Sequence, residues 1–292
     1  GYSFKVYLNV PGDDESLSNN RIIALLEDSK NRLWIGTIGG GLNLFDHRSE
    51  KFRAYRNNPN DSNSLSNDRI MALCEDPSGK IWVGTADGGL NLFDPESETF
   101  KVYINTTTNP NLLPSNVIRT IFINSQNKLF VGTEKGIAIL NRADDNFTHI
   151  DVKNEDGSIY DITMVRRFYD DSRGNLWIAT DREGLIKYNY STEQFTLYSE
   201  KVLSRKLASN TIHDIYEDDE GFLWIASYGG LYRLYLDSGK INIYQYSSSN
   251  SNSLSSNLIR TVFEDDTGIL WVGTHNAGIS KYIRKYNKFT IY

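Results

Sequence analysis

Cysteine and methionine are scarce in this sequence. The single cysteine, Cys74, has no intrachain partner for a disulfide, and its place in the apolar run IMALCED is typical of a small buried hydrophobic residue. The chain is therefore not a disulfide scaffold, and its cysteine content does not identify a cellular compartment. Only 2 methionines accompany 18 tyrosines, a balance that favours β-strands and polar aromatic surfaces over helix bundles.

Long apolar runs and blocks of one charge are also missing. No apolar segment reaches the length of a membrane-spanning helix, and the start GYSFKVYLNV lacks the basic region and apolar core of a signal peptide. We therefore expect a chain that is either cytosolic or already trimmed, without membrane contact of its own.

A net charge of −6 with no basic block argues against a nucleic-acid partner. With 292 residues, 39% of them hydrophobic, the chain is globular and can bury a substantial core.

One phrase is written six times along the chain. LWIGTIGGGLNLFD, at Leu33–Asp46, returns almost unchanged as IWVGTADGGLNLFD, at Ile81–Asp94, and four weaker copies follow. The bulky aromatic residues of the copies are spaced by 48, 48, 47, 47 and 47 residues, and they are Trp34, Trp82, Phe130, Trp177, Trp224 and Trp271. A period of this length is typical of propeller blades and of helical arrays.

The short runs within each period decide between these two architectures. The second copy contains four β-prone runs, RIMALCED, KIWVGT, LNLFD and FKVY, each bounded by Gly, Pro, Asn, Ser or Asp. The first turn carries a residue that tolerates positive φ, namely Asn31, Gly79, Asn127, Gly174, Gly221 and Gly268. A glycine also precedes the third run in every copy, at Gly41, Gly89, Gly136, Gly184, Gly230 and Gly278. Four short strands per period predict an all-β fold, a β-propeller of six visible four-stranded blades.

The repeated phrase has a structural explanation in such a fold. We expect the aromatic residue of each second strand to pack against the next sheet. Three residues later, a Thr or Ser should satisfy nearby backbone groups, at Thr37, Thr85, Thr133, Thr180, Ser227 and Thr274.

LWIGT followed by a glycine turn, and preceded by an acidic pair and a turn, resembles the two-component regulator propeller repeat. The connectors NNPNDSNSLSND, residues 57–68, and SSSNSNSLSSN, residues 247–257, are similar to the Asn/Ser-rich linkers of that family. The chain departs from the pattern at Phe130, at Ala179 and Ala226, and in the fourth connector KNEDGSIYDIT, which suggests a separate role for that connector.

The resemblance implies an extracytoplasmic sensor of a hybrid histidine kinase that controls polysaccharide use in bacteria. It implies a periplasmic location, a parent receptor anchored in the inner membrane, an oligosaccharide ligand and contacts with other domains of the same receptor. It also implies kinase activity elsewhere in the parent, and we expect that parent to be a homodimer.

We expect one β-propeller domain over residues 1–292. The predicted repeats lie near residues 17–55, 65–103, 113–150, 160–198, 207–244 and 254–292. The opening SFKVY, residues 3–7, matches the fourth strands of the repeats and predicts the last strand of a preceding blade. The chain is then an excerpt from a longer sensor, whose ring has either six or seven blades.

Catalytic motifs are absent from the sequence. It has no Gly-rich phosphate loop, no HExxH, no GxSxG and no Cys/His spacing suited to a metal, so we expect no catalytic residue, metal or cofactor. Acidic pairs recur before the first turn, at residues 27–28, 75–76, 170–171, 217–218 and 264–265. A carboxylate ring that binds metal is one interpretation, but an aspartate that accepts hydrogen bonds from its own turn is favoured.

One position breaks the repeat in an informative way. Two residues before the conserved apolar position of the first strand, the residues are Ile23, Met71, Arg119, Arg166, His213 and Arg260. They change from apolar to cationic or titratable along the chain. We expect this column to line the channel mouth together with the loops between second and third strands. The predicted ligand-binding residues are Arg119, Arg166, His213, Arg260, Asp181, Arg182, Tyr228 and His275.

Arginines, carboxylates and a tyrosine around one concave mouth suit a sugar, and in particular an acidic one. The alternative is structural: the arginines pair with neighbouring carboxylates and hold the first strands together. Two other functions stay open, a propeller-type lyase that uses His213, His275 and Glu183, and a scaffold that binds only proteins.

Overall fold

The computed structural model describes residues 5–106, 112–153, 159–201 and 207–291. Within these ranges the regular structure is six four-stranded antiparallel sheets, one two-stranded sheet and a single 3-10 turn at Arg284–Tyr286. In each four-stranded sheet the strands are neighbours in chain order, as in a propeller blade. The predicted all-β class with six four-stranded blades is confirmed. No helix in the described ranges is long and apolar enough to cross a membrane.

The chain divides into two compact units, residues 1–150 and residues 151–292. The first unit holds blades one to three. Their strands are β1 (Ile22–Glu27), β2 (Leu33–Thr37), β3 (Leu42–Asp46) and β4 (Lys51–Tyr55); β5 (Ile70–Glu75), β6 (Ile81–Thr85), β7 (Leu90–Asp94) and β8 (Thr99–Tyr103); β9 (Ile118–Ile123), β10 (Leu129–Thr133), β11 (Gly136–Asn141) and β12 (Asn146–Ile150).

The second unit begins with the fourth connector, in which β13 (Val152–Lys153) pairs with β14 (Ile159–Tyr160). Residues 154–158 of that connector lie outside the described ranges. Blades four to six follow. Their strands are β15 (Val165–Asp170), β16 (Asn175–Thr180), β17 (Leu185–Asn189) and β18 (Gln194–Tyr198); β19 (Ile212–Glu217), β20 (Phe222–Ser227), β21 (Gly230–Tyr235) and β22 (Ile241–Tyr244); β23 (Ile259–Glu264), β24 (Leu270–Thr274), β25 (Ile279–Ile283) and β26 (Lys288–Ile291).

An aspartate builds the turn between the first two strands of a blade. In blade one, Oδ1 of Asp28 accepts hydrogen bonds from the backbone N–H groups of Lys30 and Arg32, each at 2.9 Å. Asn31 between them has a φ of 58°. This geometry supports the turn interpretation of the acidic pairs. The described residues contain no group of three or more His, Cys, Asp or Glu side chains placed to hold a metal.

The same aspartate also anchors the tryptophan. Oδ2 of Asp28 accepts the indole N–H of Trp34 at 2.8 Å, and this bond recurs in each of the five blades that contain the tryptophan. Blade three has Phe130, which cannot donate, and there Asn124 takes the place of the aspartate. The indole donor and the carboxylate acceptor are therefore replaced together.

Within each unit the large aromatic side chain of a second strand packs against the following blade. Trp34 is fully buried and belongs to one cluster with Leu65, Ile70 and Phe93 of blade two. Trp82, Trp177 and Trp224 pack in the same way on blades three, five and six. The predicted joint between neighbouring blades is confirmed at these four places.

The Thr or Ser at the end of the second strand fixes the loop to the third strand. Oγ1 of Thr85 donates to the carbonyl oxygen of Gly89 at 2.9 Å and accepts the N–H of Gly88 at 2.9 Å. All six blades contain the equivalent donor bond. These loops are therefore held in one conformation, and their first residue is placed reproducibly.

The predicted leading strand is only partly described, because residues 3 and 4 lie outside the described ranges. Lys5 and Tyr7 belong to no sheet in the part of the chain that the structure describes. The ring of Tyr7 nevertheless packs on Phe45 and Phe52 of blade one, at centroid distances of 5.1 and 5.6 Å.

Candidate ligand-binding site

The column that breaks the repeat is a column of β-bulges. In blade five, Ile212 pairs with Ser227 and Asp214 pairs with Ala226, so His213 between them has no partner on the second strand. The same register shift occurs in every blade, and the extra residues are Ile23, Met71, Arg119, Arg166, His213 and Arg260. A bulge redirects its side chain away from the regular pleat, so these six residues are presented differently from the rest of their strands.

Each bulge residue has a counterpart fifteen positions later, at the start of the loop between the second and third strands. In blades one, two, three, five and six the backbone N–H of this loop residue donates to the carbonyl two residues before the bulge, as from Tyr228 to Thr211 at 3.2 Å and from His275 to Leu258 at 2.8 Å. The two side chains are thereby brought to one end of the sheet. The pairs of bulge and loop residues are Ile23 with Ile38, Met71 with Ala86, Arg119 with Glu134, Arg166 with Asp181, His213 with Tyr228, and Arg260 with His275.

The two side chains of each pair have the same polarity: both are apolar, or both are charged or polar. Blades one and two combine apolar residues, whereas blades three to six combine charged or polar ones. The bulge column was predicted from the sequence, but its fixed offset to the loop residue was not. That offset is visible in the sequence and was the signal that could have revealed the pairs.

Arg166 forms an ion pair with its loop counterpart, Asp181. Its Nε and Nη2 both donate to Oδ1 of Asp181, at 3.0 and 2.8 Å. The backbone carbonyl of Asp181 accepts a bond from Oγ1 of Thr211 at 2.9 Å, which ties this loop to the connector before blade five. The charge of Arg166 is therefore paired with a carboxylate of its own blade.

Tyr228 lies at the centre of a second group in the same unit. Its ring centroid is 4.4 Å from that of His213 and 6.1 Å from that of His275, and the guanidinium carbon of Arg260 lies 5.4 Å from it. We call His213, Tyr228, Arg260 and His275 the Tyr228 cluster. It draws residues from the first strands and loops of two adjacent blades.

Arg260 differs from Arg166 in its partner. Its side chain is exposed, and its Nε and Nη2 lie 3.2 Å from Nδ1 of His275. An arginine can only donate, so Nδ1 of His275 carries a lone pair in this arrangement. Arg260 forms no ion pair with a carboxylate in the described part of the chain, and its positive charge is available to an anion.

His213 is held in its neutral form. Burial, together with the positive charges of Arg166 and Arg260 and against the opposing effect of Asp181, lowers its pKa from 6.5 to about 4. Its Nε2 is buried and has no hydrogen-bond partner among the described residues. A neutral imidazole with an unsatisfied nitrogen is suited to a hydrogen bond with a ligand group.

Arg182 and Arg119, also predicted site residues, are not members of this cluster. Arg182 follows Asp181 in the loop, but its side chain is exposed and makes no hydrogen bond or ion pair within the described ranges. Arg119 occupies the equivalent bulge in blade three, which belongs to the first unit. Glu183, the carboxylate of the lyase alternative, accepts a bond from Oγ1 of Thr163 at 3.0 Å.

Asp214, which directly follows the bulge residue His213, was not predicted from the sequence. Its carboxylate faces Arg167 of blade four at 3.3 Å and accepts bonds from Thr261 and Val262 of blade six. Arg167, Asp214 and Thr261 are successive members of one column, each 47 residues from the next. The link supports the strands that carry the Tyr228 cluster.

Comparison with protein families gives a match to a model described as two component regulator propeller. The matched residues are 16–39, 64–87, 159–182, 206–229 and 253–276. Each segment contains the first turn and the second strand of one blade. Five segments of the chain are therefore two-component regulator propeller repeats. The predicted β-propeller class and the predicted family resemblance are both confirmed.

Solved structures with similar folds include extracellular and enzymatic propellers. The extracellular domain of BT3049 from B. thetaiotaomicron, described as a hybrid two component system, is 27% identical with a TM-score of 0.55. The match covers 94% of this chain and 42% of that domain. PorZ of Porphyromonas gingivalis, a surface component of the type-IX secretion system, is 23% identical with a TM-score of 0.69, over 92% of this chain and 39% of its own.

Virginiamycin B lyase from Staphylococcus aureus is a further structural neighbour. It is 15% identical with a TM-score of 0.67, over 98% of this chain and 87% of the lyase. At this identity the likeness concerns the fold alone. The chain spans about two fifths of the first two neighbours. No curated protein sequence matches it.

Proposed function

We propose that this chain is a non-catalytic, extracytoplasmic sensing segment of a hybrid two-component receptor, and that the Tyr228 cluster binds an acidic oligosaccharide. Support for the first part comes from the regulator-propeller repeats and from the similarity to the extracellular domain of BT3049. The parent would lie in the periplasm, anchored in the inner membrane, and would control polysaccharide utilisation through its kinase.

The observation that carries the ligand assignment is the position of Arg260 beside Tyr228. An exposed guanidinium without a carboxylate partner in the described ranges binds a carboxylate or sulfate through two parallel hydrogen bonds. The neighbouring aromatic face offers a flat surface for the apolar face of a sugar ring. The neutral imidazole of His213 adds a hydrogen-bonding group for a hydroxyl.

The Arg166–Asp181 pair supports the ligand site without binding the anion in this proposal. Its two charges satisfy each other, so an incoming anion gains less from Arg166 than from Arg260. We therefore place Arg260, Tyr228, His213 and His275 in contact with ligand, and Arg166 and Asp181 behind them. Arg119 and Arg182 remain additional candidates from the sequence.

A glycan array probed with the 292-residue chain, followed by product analysis of every hit, tests the proposal. We expect retention of uronate-containing or sulfated oligosaccharides, no retention of their neutral counterparts, and recovery of each ligand intact. Cleaved product with a new unsaturated end would instead identify a lyase, the second candidate. Equal retention of neutral and acidic glycans would contradict the role given to Arg260.

Signal transmission in the proposed receptor would use whole blades as rigid bodies, because closely packed sheets do not deform continuously. The partners would be the other domains of the receptor and a second copy of the parent. Deletion of this segment from the receptor should abolish the response to the glycan. A normal response after deletion would refute the sensing role, whatever the isolated chain binds.

A further inference from the structure

Blade one carries an apolar cavity of about 200 Å³ on its sheet face. The residues that line it are Tyr7, Leu17, Ile22, Leu33, Ile35, Phe45 and Phe52. Ile22 is 44% exposed there, and Leu25 on the same strand is 63% exposed. Isolated exposed apolar side chains are common, but a concave group of seven is typical of a binding surface.

The same set of residues recurs in blade two, where it is occupied. Forty-eight residues later the lining positions are Tyr55, Leu65, Ile70, Ile81, Val83, Phe93 and Phe100. All of them pack in the cluster around Trp34, which comes from the preceding blade and is fully buried. Ile70, the counterpart of Ile22, is 0% exposed. The cavity on blade one is therefore the same tryptophan socket without its tryptophan.

Lys5 and Tyr7 already lie along the rim of this socket. Tyr7 hydrogen-bonds Glu50 and packs on Phe45, and Lys5 pairs with Glu50. In blade one, Tyr55 hydrogen-bonds Glu98 and packs on Phe93, and Arg53 pairs with Glu98. The segment Lys5–Tyr7 thus contacts blade one as the fourth strand of blade one contacts blade two.

The socket also restricts the backbone that can enter it. A Cβ atom added to Gly36, two residues after Trp34, would lie 2.5 Å from Cγ2 of Ile70, and one added to Gly84 would lie 2.6 Å from Cγ2 of Ile118. The segment that delivers the tryptophan must therefore have a small residue at that position, opposite the isoleucine. This requirement is met by the Leu-Trp-x-Gly/Ala strand of a regulator-propeller repeat.

We propose that the socket on blade one binds the second-strand tryptophan of a further regulator-propeller blade, the one whose fourth strand contains Lys5 and Tyr7. The tryptophan fills the cavity between Phe45, Ile35 and Ile22, and its small neighbour packs on Ile22. The contact is one of shape and apolar surface, and it is independent of the Tyr228 cluster.

A fusion protein tests this assignment. A copy of residues 65–96, three strands of blade two, is placed directly before Gly1, so that Ser3 follows the copy where Thr99 follows the original. We expect the 292-residue chain to bind an apolar dye, and the fusion to unfold about 5–10 °C higher than that chain. The copied tryptophan should be shielded from acrylamide quenching. The matched control carries Trp82→Ala in the copy alone and should lack these gains.

A second substitution separates binding in the socket from simple lengthening of the chain. Ile22→Asp should change the unfolding temperature of the 292-residue chain little, because Ile22 is exposed there. In the fusion, the same substitution should remove the gain in unfolding temperature. The proposal is overturned if the fusion and its Trp82→Ala control unfold at the same temperature, or if the copied tryptophan is freely quenched. It is also overturned if the 292-residue chain excludes the dye, either as a monomer or as a dimer of two copies.

Discussion

Asp214 and Thr261, on the first strands of blades five and six, are joined by a hydrogen bond of 2.7 Å from Oγ1 of Thr261 to Oδ2 of Asp214. The same carboxylate accepts the backbone N–H of Val262 at 3.2 Å and faces Arg167 of blade four at 3.3 Å. One side chain therefore links the first strands of three consecutive blades. Because Asp214 directly follows His213, the link also holds the bulge that carries part of the Tyr228 cluster.

Replacement of Asp214 by Ala should lower the free energy of unfolding by about 2–3 kcal/mol, because a hydroxyl, a backbone N–H and a guanidinium lose their common acceptor. Urea denaturation monitored by tryptophan fluorescence measures the change. Asp266→Asn is the matched control, since Asp266 is exposed, and its effect should stay within about 0.5 kcal/mol. Equal losses for the two variants would show that Asp214 is not a link between blades.

Gly79 and Gly89 both have a positive φ, but we expect substitutions at these two positions to differ in their effect on stability. Gly89 has a φ of 77°, and a Cβ atom there would clash with the carbonyl oxygen of Tyr103, whereas Gly79 has a φ of 78° and open space around it. We expect Gly89→Ala to cost more than about 3 kcal/mol of stability, since strain and a backbone clash combine. Gly79→Asn should be nearly neutral, because Asn31 and Asn127 occupy the equivalent position. Thermal unfolding measures the stability of both variants. Comparable losses of stability in the two would contradict this difference.

The repeat allowed the fold to be predicted from the sequence. Six copies of the Trp/Phe strand, with glycines in register, predicted the blades, the joint at Trp34 and the loop bond of Thr37, because each of these features must recur wherever two sheets meet. Asp214 could not be found in this way. An aspartate occupies this position in one blade only, and its role depends on Arg167 and Thr261 approaching from the neighbouring blades.

The candidate site was predicted as a set of residues but not as an arrangement. The sequence singled out Arg166 and Arg260 equally, since both interrupt the same apolar column. Their difference arises from the loop residue fifteen positions later, which is a carboxylate for Arg166 and an imidazole for Arg260. Periodicity alone does not reveal the bulge that brings the two members of a pair together.

Arg260→Ala should weaken binding of an acidic oligosaccharide by about 1.5–3 kcal/mol, the contribution of a charged hydrogen bond, and should leave the unfolding temperature almost unchanged. Isothermal titration calorimetry with a ligand from the glycan array measures the loss. Lys240→Ala, which removes an exposed cation of the same unit outside the predicted site, serves as the control and should bind normally. If Lys240→Ala weakens binding as much as Arg260→Ala does, the effect is one of general charge and the Tyr228 cluster is not the site.

The low pKa of His213 makes stability depend on pH in a defined window. In the unfolded chain this imidazole takes up a proton as the pH falls below about 6.5, whereas in the folded chain burial and the charges of Arg166 and Arg260 delay protonation until about pH 4. The unfolded state therefore binds more protons between these values, and the free energy of unfolding must fall as the pH is lowered from about 6.5 towards 4. With allowance for partial exposure, we expect a loss of about 1 kcal/mol between pH 7 and pH 5 from this group.

Urea denaturation at both pH values should show that His213→Gln removes this part of the loss, while His47→Gln, which changes an exposed histidine, retains it. The same pH dependence in His213→Gln as in the unsubstituted chain would show that His213 is not held neutral by its neighbours.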